Sequence, residues 1–280
     1  CGKTPVYDGK QGGVSLTKND RLCFNGQRLL KNRTANTKHT SDIGITDTSY
    51  WSESSVYHTA VDSFNIIKPH YVAGALRAFT VENKAGEIHY YGDVSAISLN
   101  KKSLLDKSFS KAFKTVSGSV VSGQSDAFIH SESNASIARM WLIKAVQDVK
   151  SNYFVYNYND FYGNYSEHYG ESYLKSIDYT GNSAFSKAPY ASIIFNYEES
   201  KKQKSGYSAG SPIFQSKLLK NIQVKIDQDL FREYTLSYYE SDFQDEKNYL
   251  ESMTECAGTG TNKLCNAPLT FNWQKPAPIT

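Results

Sequence analysis

The sequence predicts an all-β protein made of consecutive antiparallel hairpins, which form one extended curved sheet or a pair of packed sheets with at most one or two short helices. Three observations support this prediction. Aromatic residues make up 14% of the 280 residues, including 21 Tyr and 14 Phe, and such side chains suit a pleated, half-buried surface. Apolar and polar residues alternate with a period of two far more often than with the period of a helix. Clusters of turn-forming residues separate the alternating runs.

The clearest hairpin lies near the C-terminal end of the chain. Residues 222–226 alternate apolar Ile and Val with polar side chains, and residues 234–238 alternate Tyr and Leu with Thr and Ser after a short Asp-Gln-Asp turn. This pattern indicates a hairpin with one buried face. Two further hairpins follow from the same pattern: 78–82 with 87–91 around Gly86, and 141–146 with 153–158 around a polar turn.

One segment departs from the alternating pattern. Residues 98–135 are rich in serine, lysine and glycine and contain fewer aromatic residues than their neighbours. We interpret them as a polar insertion or long loop with at most one short amphipathic helix, near 104–113. The rest of the chain then forms a single β domain spanning residues 1–280. A recognition arm is the alternative interpretation of the insertion, because long loops often carry function.

A dense run of tyrosines occupies residues 153–179. Alternation places the side chains at 154, 156 and 158 on one face of a strand and those at 173, 177 and 179 on one face of the next. We expect these rings to stiffen a sheet. The polar segment 159–170 between them is predicted to be a loop, and its tyrosines could contact a ligand such as a sugar: Tyr162, Tyr165 and Tyr169.

The four cysteines allow three disulfide pairings. Cys256 and Cys265 bracket a glycine- and threonine-rich connection between two predicted strands, so proximity favours this pair and leaves Cys1 with Cys23. Two disulfides would indicate maturation in an oxidising compartment. Four free thiols in a cytoplasmic protein are the main alternative, and a lipid-anchored Cys1 is a weaker one.

The composition argues against several function classes. The formal net charge of +3 is too small to attract nucleic acid strongly, and no apolar run approaches the roughly twenty residues of a membrane span. No nucleophile elbow, phosphate loop or zinc-binding helix motif is present, so we expect no enzyme, no cofactor and no metal. Carboxylates concentrate in residues 227–246 and could supply an acid/base pair or bind calcium, although a charged strand edge explains them equally well: Asp227, Asp229, Glu233, Glu240, Asp242, Asp245 and Glu246.

Seven short motifs occur in an order that is typical of one family. They begin with CGKTPVYDG followed by NDRLCFNGQRLL, continue through VYHTAVDSFNII, FTVENKAGEIHYYGD and RMWLIKAVQDVKSNYFVYNY, and end with YLKSIDYTGN, LKNIQVKI with REYTLSY, and LESMTECAGTGTNKLCNAPLTFNW. On these motifs the chain resembles the SpvB-type N-terminal domain of the B components of insecticidal toxin complexes (Tc toxins), and more loosely the Rhs/YD-repeat proteins.

The resemblance implies a structural role in a secreted toxin complex. In that family the B component joins a C component to build a hollow β-sheet shell, which encloses a cytotoxic C-terminal region and docks on a pore-forming A component. The partners implied are therefore a β-propeller and YD-repeat shell in the same toxin chain, the C component and the A component. The family's glycine- and proline-rich opening is absent and relatives continue beyond this point, so we expect a fragment or a shortened member. A secreted carbohydrate-binding or adhesin-like domain is the alternative function.

Overall fold

The computed structural model describes residues 11–14, 20–32, 50–94, 97, 128–131, 134–160, 171–208, 211–239 and 247–274. Almost all secondary structure in these ranges is antiparallel β-strand. The chain divides into two compact units: the first comprises Cys1–Tyr153, Asn182–Lys187 and Tyr207–Pro212, and the second comprises Phe154–Gly181, Ala188–Gly206 and Ile213–Thr280. The prediction of a single 1–280 domain remains a prediction.

The first unit is built on a sheet with the hydrogen-bonded order β1-β2-β3-β4-β5-β6-β9. A separate two-stranded ladder pairs β7 with β8. The strands are β1 Cys23–Phe24, β2 Gln27–Lys31, β3 Tyr57–Thr59, β4 Ile66–Val72, β5 Ala75–Glu82, β6 Ile88–Gly92, β7 Phe128–Ser131, β8 Asn134–Trp141 and β9 Ile143–Gln147.

The second unit is built on strands that follow one another in the order β10-β11-β12-β13-β14-β15-β16, with β17 also paired to β15. A 3-10 helix covers Gly260–Asn262. The strands are β10 Asn152–Asp160, β11 Ser172–Asn182, β12 Ala191–Ser208, β13 Ser211–Ile226, β14 Asp229–Tyr238, β15 Leu250–Ala257, β16 Leu264–Cys265 and β17 Leu269–Thr270.

The all-β prediction is confirmed, and so is the strand pairing of two predicted hairpins. The predicted buried face of the 222–238 hairpin is wrong, because Ile222, Val224 and Tyr234 are only half-buried and the buried residue of β14 is on the other face. Residues 78–82 and 87–91 fall on β5 and β6, which pair in register from Ala78 with Gly92 to Glu82 with Ile88. Residues 222–226 and 234–238 fall on β13 and β14, whose pairs include Ile222 with Tyr234. The strand order in each unit is open, which agrees with the extended-sheet alternative.

Three predicted boundaries were wrong. The predicted insertion at 98–135 is strand at 128–131 and from 134 onwards, because Phe128 pairs with Trp141 and Ile129 with Met140. Trp141 therefore ends β8 and does not start the next hairpin, which begins at β9. Residues 98–127, including the predicted helix near 104–113, lie outside the described residues. β10, the first strand of the tyrosine run, extends to Asp160, two residues into the predicted 159–170 loop.

The core of the first unit gathers around two buried tyrosines. Tyr57 is fully buried, and its ring centroid lies 5.0 Å from that of Tyr50. The Tyr50 hydroxyl accepts a hydrogen bond from the Leu22 amide (3.1 Å) and donates one to the Leu29 carbonyl (3.0 Å). Burial raises the pKa of both phenols, so both stay neutral and can donate. Apolar side chains complete this cluster: Leu22, Leu29, Ile67, Phe79 and Val81.

Two hairpin turns in the first unit share one design. Asn83 caps the β5–β6 turn by accepting hydrogen bonds from the amides of Ala85 (2.9 Å) and Glu87 (3.0 Å). Asp148 caps the β9–β10 turn in the same way, accepting from the amides of Lys150 and Asn152, both at 2.8 Å. Such side chains stabilise turns by replacing a backbone acceptor. The fourth residue of each turn has a positive φ, 79° at Gly86 and 67° at Ser151.

The shared design predicts that Ser151→Gly stabilises the protein. A serine in the left-handed region is strained, whereas glycine adopts this conformation without a steric penalty. We expect the free energy of unfolding to rise by about 0.5–1 kcal/mol, after allowing for the greater chain entropy of glycine in the unfolded state. Urea denaturation measures this change. The control Lys150→Gly, in the same turn, is expected to be neutral or destabilising, and equal effects of the two variants would contradict the strain argument.

Candidate functional site

The structure places only some of the predicted site residues. The ligand-contact candidates Tyr162, Tyr165 and Tyr169 lie outside the described residues, and so do Cys1 and four of the carboxylates: Glu240, Asp242, Asp245 and Glu246. Cys256 and Cys265 form a disulfide, as predicted. Cys23 is also disulfide-bonded. The remaining predicted residues fall on or beside β14: Asp227, Asp229 and Glu233.

The disulfide belongs to a row of side chains that crosses four strands of the second unit. Gln223 on β13 pairs with Glu233 on β14, Glu233 pairs with Cys256 on β15, and Cys256 pairs with Cys265 on β16. Directly paired residues in antiparallel strands share a face, so these four side chains lie side by side. Glu233 and Cys256 are buried, whereas Cys265 is exposed at the end of the row.

Glu233 is the charged centre of this row. Its carboxylate accepts hydrogen bonds from the Lys263 ammonium (2.7 Å) and from the side-chain amides of Gln223 (2.9 Å) and Asn221 (3.3 Å). The hydrogen bond from Lys263, followed by that from Gln223, holds the pKa of Glu233 below its ordinary value. Lys263 lies two residues before Cys265, so the disulfide and the ion pair fix the same short segment onto the sheet.

The depressed pKa of Glu233 predicts a pH-dependent contribution to stability. A carboxyl whose pKa is lower in the folded state stabilises the fold above its unfolded pKa, and this stabilisation is lost as the pH falls through the folded pKa. We expect Lys263→Met to lower the free energy of unfolding by about 0.5–1 kcal/mol at pH 7. The difference from wild type should shrink below about pH 4. Denaturation at several pH values measures it, and a difference that is independent of pH would contradict the assignment.

Glu255 lies on the opposite face of β15 from this row. It pairs with Tyr234, the neighbour of Glu233 on β14. Its carboxylate forms an ion pair with Arg232 and accepts hydrogen bonds from the Tyr234 hydroxyl (3.3 Å) and the side-chain amide of Asn266 (3.2 Å). The two carboxylates thus point to opposite faces, and each is held by a cation. This arrangement stabilises neighbouring strands and does not bring the two together as an acid/base pair.

The strand tyrosines connect neighbouring strands, and their role in stiffening the sheet stays a prediction. The rings of Tyr173 on β11 and Tyr197 on β12 lie 5.1 Å apart, and the Tyr197 hydroxyl donates to the Leu174 carbonyl at 2.8 Å. The Tyr173 hydroxyl accepts hydrogen bonds from two successive amides on β13, Ser216 (3.1 Å) and Lys217 (3.2 Å). Burial raises the pKa of both phenols, which therefore act as neutral hydrogen-bonding groups.

The second unit also contains a small basic cavity of about 130 Å³. Its walls include Lys202, Lys204 and Lys217 together with Ser200 and Asn248. Lys202 donates to the backbone carbonyl of Lys247 (3.1 Å), Lys217 forms an ion pair with Glu199, and Asn248 donates to the Ser200 hydroxyl (3.1 Å). These contacts tie β12, β13 and the segment before β15 to one another, and none of the predicted site residues that the structure describes lines the cavity.

The residues that the structure describes contain neither a metal-binding cluster nor a membrane-spanning helix. Among those residues, no three His, Cys, Asp or Glu side chains gather in a way that could hold a metal ion. Nor does any described helix have the length and apolar character needed to cross a membrane.

Comparison with known proteins identifies the fold. No protein-family model and no curated protein matches the chain. The crystal structure of TcdB2-TccC3 superposes with a TM-score of 0.61 at 14% identity over 94% of this chain. The N-terminal domain of the effector protein SpvB from Salmonella typhimurium strain LT2 superposes with a TM-score of 0.57 at 14% identity, over 89% of this chain and 84% of that domain. The chain has an SpvB-type fold.

The SpvB-type fold recurs inside much longer toxin chains. A Photorhabdus luminescens Tc holotoxin pore structure contains it with a TM-score of 0.57 at 14% identity over 89% of this chain. This chain spans only 12% of that toxin chain and 14% of the TcdB2-TccC3 chain. By contrast, it covers more than four-fifths of the isolated SpvB domain.

Proposed function

We propose that this chain is a structural β-sheet component of a secreted bacterial toxin complex. In this role it forms part of the wall of a shell that encloses a cytotoxic C-terminal region and helps to deliver it. The observation that carries the proposal is the SpvB-type fold, which matches both an isolated effector domain and segments of Tc toxin chains over about nine-tenths of this chain.

The strands themselves suit a wall. β12 and β13 contain 18 and 16 residues, which correspond to roughly 50–60 Å of extended chain. Typical strands in globular proteins have about five or six residues. Most side chains of β11 are half-buried, with a single buried residue near its end. Such strands are held by many cross-strand pairs, each contributing roughly 0.2–1 kcal/mol, more than by one deep core.

The fold supports a proposed set of partners. They are a β-propeller and a YD-repeat shell in the same toxin chain, the toxin C component and the pore-forming A component. We also propose that the domain itself has no catalytic role and that the chemistry resides in the enclosed region. The engagement of Glu233 and Glu255 with cations on opposite faces supports this part of the proposal.

Protease protection of the complete natural gene product, purified with the products of adjacent genes, tests this function. We expect a large assembly by native mass spectrometry and a C-terminal region that resists trypsin until the assembly is denatured. A small isolated protein whose C-terminal region is cleaved without delay would contradict the proposal. Binding to a glycan array that is lost in the triple variant Tyr162→Ala, Tyr165→Ala, Tyr169→Ala would favour the carbohydrate-binding alternative instead.

A further inference from the structure

The last described segment of the chain covers the outer edge of β15. Cys265 and Leu264 pair with Cys256 and Ala257, and Thr270 and Leu269 pair with Ser252 and Met253. The amides of Asn266 and Phe271 donate to the carbonyls of Glu255 and Glu251, both at 2.9 Å. We call residues 264–271 the edge segment. Without it, β15 would present a free strand edge, which readily pairs with another strand.

The edge segment buries few side chains. Leu264 and Leu269 are 78% and 55% exposed, and every residue from Lys263 to Thr270 is exposed. Pro268 lies between its two short strands and has no amide to donate. Apolar burial is the main force that holds strands in place in water, so the edge segment is weakly held by packing.

Besides these backbone hydrogen bonds, three kinds of contact hold the edge segment in place. The Cys256–Cys265 disulfide attaches its start covalently to β15. Lys263, the residue immediately before the edge segment, forms an ion pair with Glu233. At its last residue, the Phe271 carbonyl accepts a hydrogen bond from the Tyr239 hydroxyl at 2.9 Å, and beyond its end the Trp273 indole donates to the Leu250 carbonyl at 2.6 Å. The disulfide is the strongest of these, because it limits how far the segment can separate from its partner strand.

We propose that the Cys256–Cys265 disulfide locks a displaceable edge strand, and that its reduction opens β15 to the same segment of a second copy of this chain. The incoming strand is residues 264–271 of the second copy, because this segment already pairs in register with β15. Exchange of an identical element between two copies preserves every hydrogen bond and is therefore a low-cost route to a dimer.

The switch requires an external reductant of the dithiol class. One thiolate of the dithiol attacks the sulfur of Cys265, the exposed residue of the pair, and forms a mixed disulfide while Cys256 leaves as a thiolate. The second thiol of the reductant then displaces Cys265 and closes its own disulfide. Two electrons and two protons pass from the dithiol to the pair, which ends as two thiols. A protein that moves from an oxidising to a reducing compartment encounters such a reductant.

Hydrogen exchange tests the release step. In Cys265→Ser, which alters an exposed side chain, the amides of Asn266 and Phe271 should exchange about 100-fold faster than in the oxidised wild type, because a disulfide closing a loop of about ten residues shifts the opening equilibrium by about that factor. Wild type treated with a dithiol provides a second measurement that needs no substitution. Amides between β13 and β14 serve as the internal control and should not change.

Peptide binding tests the acceptor step. A fluorescent peptide of residues 262–274 carrying Cys265→Ser should bind reduced protein and Cys265→Ser, and should not bind oxidised wild type. Light scattering should show a dimer at high concentration only when the disulfide is open. Exchange rates that stay the same on reduction would overturn the proposal, as would faster exchange with neither peptide binding nor dimer formation. Both experiments use this chain alone, so their failure would leave the proposed shell role untouched.

Discussion

Replacing Tyr57 with alanine is expected to lower the free energy of unfolding by about 3–5 kcal/mol. Tyr57 is fully buried at the centre of the first unit's core, and its hydroxyl donates to the Tyr50 carbonyl at 2.5 Å. The substitution removes a whole aromatic ring, leaves a cavity beside Tyr50 and Ile67, and takes a donor away from a buried carbonyl. Urea denaturation followed by circular dichroism measures the loss.

Two matched variants separate the causes of this loss. Tyr57→Phe keeps the ring and removes only the hydroxyl, and the Tyr50 carbonyl retains its hydrogen bond from Ser55 at 3.0 Å, so we expect a cost of about 1 kcal/mol. Tyr207→Ala removes the same ring from a site that is 81% exposed and should change stability by less than about 0.5 kcal/mol. If Tyr57→Ala lowered the free energy of unfolding by no more than Tyr207→Ala, this would contradict the placement of Tyr57 in the core.

Gly86→Ala is expected to lower the free energy of unfolding by about 2–3 kcal/mol, for two separable reasons. Gly86 has a φ of +79°, where a side chain costs roughly 1–2 kcal/mol. A Cβ atom there would also lie 2.7 Å from Cγ1 of Val149 at the tip of the adjacent turn. That contact adds an overpacking cost of about 1 kcal/mol, because Val149 must move to relieve it.

Gly74 provides the control that isolates backbone strain. It has nearly the same φ, +78°, and nothing lies within 4 Å of where its Cβ would be. Gly74→Ala should therefore cost only about 1–2 kcal/mol. Combining Gly86→Ala with Val149→Ala should bring the cost of the glycine substitution down to that of Gly74→Ala. If the double variant shows no such recovery, the two turns do not pack as described.

The sequence predicted those features that depend on neighbouring residues. Alternation over a few positions indicated β5–β6 and β13–β14, because the period of a strand is visible within one segment. Gly86 was assigned to a turn from its conformational freedom, and its positive φ confirms this. The Cys256–Cys265 pair was also found, since only nine positions separate the two residues and both flank a turn. Each of these predictions rests on local chain geometry.

Features that join distant residues were not predicted. The row from Gln223 to Cys265 depends on the registers of three strand pairs, and a shift of one residue in any of them would turn a side chain to the other face. The sequence marks Glu233 only as one carboxylate among seven, and no local pattern indicates its ion pair with Lys263. Tyr50 and Tyr57 carried no signal in the sequence that distinguished them from the other tyrosines. The β7–β8 hairpin was missed because its serine-rich start resembles the polar segment before it.

Electron cryo-microscopy of the complete natural gene product, purified together with the products of adjacent genes, tests the proposed wall role most directly. If the chain is a wall component, the map will show a hollow β-sheet shell in which the strands from β10 to β15 form a continuous part of the wall, with density for an enclosed segment. A map in which this domain stands apart from any shell, with the face that carries Glu233 open to solvent and no enclosed density, would contradict the account.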